Sequence, residues 1–130
     1  IDYLTNEAGE YIYSTFLPPS QVGAALESIK IIRTFDKERN ELMRLSKYFR
    51  EGLNQKSGAI ESPIVPVLIG DPQETMKLRD MLLSNGILVG AVRPPTVPAN
   101  SSRLRISLHS NISETLVDKL VKLLEPWKKN

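Results

Sequence analysis

Apolar residues recur at helical spacing from position 20 onward. Val22, Ala25, Leu26, Ile29 and Ile32 fall at i, i+3, i+4, i+7 and i+10, a single stripe on one helix face. Pro18 and Pro19 suit the entry to that helix, with Ser20 in its first turn. Ile31 and Phe35 lie off the stripe, which predicts cover on more than one side. A second helical block starts at Asp36, charged at Lys37, Glu38, Arg39 and Glu41 and then striped with Leu42, Leu45, Phe49 and Leu53. A bend near Asp36 is expected, a continuous helix being the alternative. Glycine and polar residues at 52–58 end the block.

The remaining pattern alternates between strand and helix. Residues 11–17 are β-prone and aromatic and stop at Pro18 and Pro19, which predicts a short strand. Residues 62–70 read as a second strand, with Pro66 marking an edge or a bulge. Asp71, Pro72 and Glu74 form a helix start, and Asn85-Gly86 a left-handed stop after Ser84. Residues 87–92 and 103–109 read as strands, the latter with Leu104, Ile106 and Leu108 on one face and Arg103, Arg105, Ser107 and His109 on the other. Asn111 with Glu114 is expected to cap a last helix striped by Leu116, Val117, Leu120, Leu123 and Leu124, with Lys128 and Lys129 at its C-terminal end. Two helical blocks followed by β-α-β-β-α predict an α+β layer, a short sheet with helices packed on one face. The expected organisation is one domain over 1–130, with a helical segment at 1–58 and the sheet layer at 59–130.

Composition narrows the function classes. The chain has 130 residues, 41% hydrophobic and 25% charged, enough for one compact domain. No apolar run approaches the ~20 residues of a membrane helix. A net charge of +2 gives no argument for nucleic acid or a lipid surface. Cysteine is absent and His109 is the single histidine, which leaves no thiolate or histidine cluster for a metal. The chain opens on Ile1 rather than Met, which predicts a piece of a longer protein whose own N-terminus is not in view, and the location expected for that protein is the cytoplasm.

Candidate chemistry gathers around Arg93-Pro94-Pro95-Thr96-Val97-Pro98 and the strand that follows. Three prolines predict a stiff, extended crossover carrying a hydroxyl at Thr96 and guanidinium groups at both ends. A guanidinium offers a planar fork of donors, suited to a carboxylate or phosphate. Arg105, between Leu104 and Ile106, points away from the face those two bury; Arg103 shares the alternation, which does not choose between them. Glycine-rich phosphate loops are absent, and the carboxylates and His109 read as solvated surface. A non-catalytic module binding a small carboxylate or a protein remains an alternative.

Four stretches carry a family resemblance: Tyr11 to Pro19, Ser62 to Asp71, Gly86 to Pro98 and Arg103 to Leu108. In order and spacing they resemble the C-terminal part of the 8-amino-7-oxononanoate synthases, α-oxoamine synthases of the aspartate-aminotransferase fold (fold type I). The resemblance implies pyridoxal phosphate (PLP) as cofactor and electron sink. It implies condensation of L-alanine with a pimeloyl thioester, on CoA or a carrier protein, with loss of CO2, in biotin synthesis. A sister activity, glycine C-acetyltransferase or 5-aminolevulinate synthase, is the nearest rival. It further implies that Arg105 grips the amino-acid carboxylate and that Thr96 contacts substrate. Ser14 or Thr15 would reach the PLP phosphate of the neighbouring subunit in a homodimer, and Arg93 would be structural. The Schiff-base lysine is expected in a large PLP-binding domain upstream of Ile1, so no catalytic residue and no firm PLP site are expected here. Relatives often carry Ala-Ala-His after the arginine strand, where this chain has Ser110-Asn111-Ile112.

Overall fold

The computed structural model describes residues 1–12, 17–55 and 62–127. The chain divides into two compact units, Ile1–Asp36 and Lys37–Asn130.

The first unit is helical: α1 (Asp2–Glu7), α2 (Gly9–Ile12) and α3 (Pro19–Ile32). The strand expected from residue 11 is corrected at its start, since Tyr11 and Ile12 lie in α2. Residues 13–16 lie outside the described residues. At Tyr11 and Ile12 β propensity yields to the helix, propensity being only a weak preference that context overrides. α3 starts at the expected prolines and has no buried residue. Its stripe is exposed, and so are Ile31 and Phe35, for which cover was expected. A turn at Arg33 and Thr34 separates α3 from α4 (Asp36–Gly52), so the helix is interrupted near Asp36 rather than continuous.

The second unit builds the core. β1 (Ile64–Gly70), β2 (Gly90–Val92) and β3 (Ser102–Ser107) form an antiparallel sheet in the order β1-β3-β2. α4, α5 (Pro72–Ser84) and α6 (Glu114–Leu124) supply Leu45, Phe49, Leu78, Leu82, Val117, Leu120 and Leu124 to one cluster with Val65, Val67, Leu104 and Ile106. The α+β layer with helices on one face is thus observed. Gly52 lets α4 lie close to α6, because a Cβ there would stand 2.8 Å from Val121 Cγ2.

β1 is an edge strand, as Pro66 requires. Its carbonyl groups at Ile64 and Pro66 accept from Arg50 Nη2 (2.9 Å) and Gln55 Nε2 (2.9 Å), so side chains from the last turn of α4 and the loop after it cover the edge. The register shifts between Leu68 and Gly70, a bulge. α5 is capped by Asp71, whose carboxylate accepts from Glu74 N–H at 2.8 Å, and it stops before Gly86 at φ +80°.

Three further expectations need correction. The strand expected over 87–92 is regular only at Gly90–Val92; the side chains of Ile87 and Val89 are buried while Leu88 is exposed. β3 ends at Ser107 rather than 109, where Leu108 N–H turns to Pro63 C=O at 2.9 Å. The cap of α6 is Ser113, not Asn111: its hydroxyl accepts from Leu116 N–H at 3.3 Å. Ser113 holds the N-cap position because it directly precedes the first helical residue, where a side-chain oxygen reaches the orphan N–H groups. Lys128 and Lys129 lie outside the described residues.

Candidate functional site

β3 positions the site by its two-residue period. Ser102, Leu104 and Ile106 are buried towards the helices, and Arg103, Arg105 and Ser107 occupy the opposite face. Arg105 is the central residue of that face. Its register partners are Pro66 on β1 and Gly90 on β2. Gly90 leaves it uncovered, since a Cβ there would lie 3.7 Å from Arg105 Nε. The Arg105 side chain is exposed and has no hydrogen-bond or ion-pair partner among the described residues.

The proline-rich connector differs from the expected extended crossover. Thr96 N–H donates to Arg93 C=O at 3.0 Å, closing a turn, and the Pro94–Pro95 bond is cis. A fixed proline φ suits turn positions as well as extended ones, and here the hydrogen bond selects the turn. The turn places Thr96 on the same groove as Arg105. That groove, of about 410 Å³, is lined by Gly90, Val92, Arg93, Pro95, Thr96 and Arg105 among others.

A second groove of about 460 Å³ lies on the same sheet face, lined by Arg50, Ile64, Pro66, Val92, Arg103 and Arg105, with Ser62. Among the described residues no acidic side chain lines either groove. The pair therefore presents guanidinium donors and a hydroxyl to whatever enters, an arrangement for anionic ligands. Arg103 is oriented by an Nε–H bond to Ser101 C=O at 3.0 Å.

Of the residues singled out from sequence, Thr96 and Arg105 come together, and Arg93 lines the groove with them. Ser14 and Thr15 lie outside the described residues. His109 is exposed on a separate, largely apolar cleft of about 270 Å³ with Ile87, Val89, Ile112 and Leu116. Sequence reasoning missed Arg50. It follows Phe49 directly, off the buried stripe of α4, and its contact with the β1 edge spans 14 residues, so local spacing carries no sign of it. Among the described residues no cluster of histidine and carboxylate side chains suits a metal ion, and no helix is long and apolar enough to cross a membrane.

The family model for aminotransferase class I and II matches residues 1–124. The 8-amino-7-oxononanoate synthase of Aeromonas salmonicida is 42% identical over 129 residues, covering 97% of this chain and 32% of that protein. Among solved structures, 8-amino-7-oxononanoate synthase from Francisella tularensis superposes with a TM-score of 0.77 at 28% identity, covering 96% of this chain and 37% of that one. A serine palmitoyltransferase solved with its PLP internal aldimine gives a TM-score of 0.84 at 25% identity over 96% of this chain and 33% of that one. This chain therefore spans about a third of the length of the curated relatives it matches. Its antiparallel layer is that of the PLP fold-type I enzymes. Matched from its first residue to position 124, the chain belongs to the aminotransferase class I and II family.

Proposed function

We propose that this chain is the C-terminal part of an 8-amino-7-oxononanoate synthase, which condenses L-alanine with a pimeloyl thioester and releases CO2 and the thiol carrier. The observation that carries the reading is Arg105, without a partner among the described residues, on the sheet face away from the helices and sharing one groove with Thr96. The similarity to named synthases supports the choice of reaction. In this reading the Arg105 guanidinium receives the alanine carboxylate through paired N–H donors. That grip fixes the orientation of the bonds at Cα, and Thr96 supplies a hydroxyl at the rim.

PLP does not fit the described residues alone. Among the described residues the two grooves offer guanidinium and hydroxyl donors, with no lysine amine to bond the cofactor and no carboxylate to pair with its ring nitrogen. The cofactor is assigned to the remainder of the intact protein, as is the cover for the exposed stripe of α3. A homodimer, with Ser14 or Thr15 turned to the partner subunit's cofactor phosphate, rests on the resemblance.

The test is CoA release by the intact protein with L-alanine and pimeloyl-CoA. Arg105→Gln should raise the KM for alanine by the equivalent of about 1.5–3 kcal/mol, the size of a hydrogen bond to a charged group. An unchanged alanine KM rejects the role of Arg105. Turnover of glycine with acetyl-CoA alone moves the protein to a sister activity.

A further inference from the structure

Arg105 is shared by two grooves, and the second is unlike the first. Ile64, Pro66 and Val92 give it an apolar floor, and Arg50, Arg103 and Arg105 ring it. Arg103 lies two residues from Arg105 on the same face of β3, about 7 Å away by strand rise. Its Nε–H is engaged by Ser101 C=O, which orients the guanidinium, while its terminal N–H groups have no partner among the described residues. Arg50 is tethered to the β1 edge, with Nη2 held by Ser62 C=O at 3.2 Å and Ile64 C=O at 2.9 Å and Nη1 reaching Gln55 Oε1 at 3.5 Å, so it brings charge with fewer free donors than Arg103.

An apolar floor with a cationic rim matches one ligand chemistry: a methylene chain that ends in an anion. The chain releases water from Ile64, Pro66 and Val92, and the terminal charge takes the free N–H groups. We propose that the second groove holds an acyl chain ending in a carboxylate, and that Arg103 reads that terminal carboxylate. Arg105 then stands at the junction, with the amino acid on the Thr96 side and the acyl chain on the other. This rests on the condensation reading above and adds to it the source of acyl specificity.

The experiment compares pimeloyl-CoA with heptanoyl-CoA, which share chain length and CoA and differ in the terminal carboxylate, on the intact protein. Arg103→Gln should lower the preference in kcat/KM for pimeloyl-CoA by about 10- to 100-fold, as expected for one charge-assisted hydrogen bond. The alanine KM should stay within about twofold, and Arg103→Lys should restore part of the preference. An equal loss with both thioesters would assign Arg103 to the fold or to the CoA phosphates and overturn the proposal, as would no loss. Should the variant fail to fold, the wild-type protein still decides. Free pimelate should compete with pimeloyl-CoA at least tenfold more tightly than heptanoate, and equal competition overturns the proposal. Arg105→Gln separates the two readings: an unchanged alanine KM there rejects the parent reading, whereas a raised one beside an unaltered acyl preference in Arg103→Gln rejects only this inference.

Discussion

Two consecutive helices carry the same kind of stripe to opposite ends. α3 presents Val22, Leu26, Ile29 and Ile32, each half or more exposed. α4 and the residue just beyond it present Leu45, Phe49 and Leu53, none more than 5% exposed. Spacing is alike in both; what differs is a sheet and α6 for α4 to lie against. An apolar period therefore says that a face needs cover, and only tertiary structure says what covers it. Phe49→Ala should sharpen the contrast most, destabilising the 130-residue chain by about 3–5 kcal/mol in urea unfolding. Ile29→Ala in the same experiment should move stability by no more than about 0.5 kcal/mol. Comparable losses at the two positions would break the contrast.

Helix ends repeat the contrast at smaller scale. α5 and α6 are capped by side chains, Asp71 and Ser113, whereas α3 has Pro18 at its N-cap position and no side-chain cap bond. Ser113→Ala should cost about 1 kcal/mol, the usual size of a lost N-cap. Ser20→Ala, in the first turn of α3, should stay within about 0.5 kcal/mol. Paired urea midpoints check both, and equal effects would mean that the Ser113 bond contributes nothing beyond propensity.

The same division explains what was legible in the sequence. Leu104, Ile106 and Arg105 declared their faces because a strand period of two leaves no choice once one face is buried. Asp71 and Gly86 declared the ends of α5 because caps act over three or four residues. The second groove was illegible, since Arg50 reaches β1 from another element. The Arg93–Thr96 turn was illegible for a different reason: proline restricts φ but leaves open which carbonyl Thr96 N–H will meet. Tyr11 and Ile12 look like a strand until one asks for a partner strand, and none lies beside them among the described residues.

The smallest effect expected lies between α4 and α6, where exposed polar pairs join two helices. Tyr48 Oη donates to Asp118 Oδ1 at 2.7 Å, and Arg44 pairs with Glu114 at 2.6 Å. The Asp118 carboxylate accepting that hydrogen bond pushes the Tyr48 hydroxyl above its ordinary pKa. The folded state then holds this proton more tightly than the unfolded state does. Its contribution is fully present below the ordinary tyrosine value of about 10 and is lost as pH rises through the raised folded value. Tyr48→Phe lacks the donor, so the wild-type advantage in urea midpoint should be constant from about pH 7 to 9 and close above about pH 10. Both partners are solvent-accessible, which keeps the difference small and salt-sensitive. If Tyr48→Phe matches the wild type already at neutral pH, ring packing rather than the hydrogen bond joins α4 to α6 at this point, and an advantage that persists unaltered into the alkaline range would show that the hydroxyl proton is not its source.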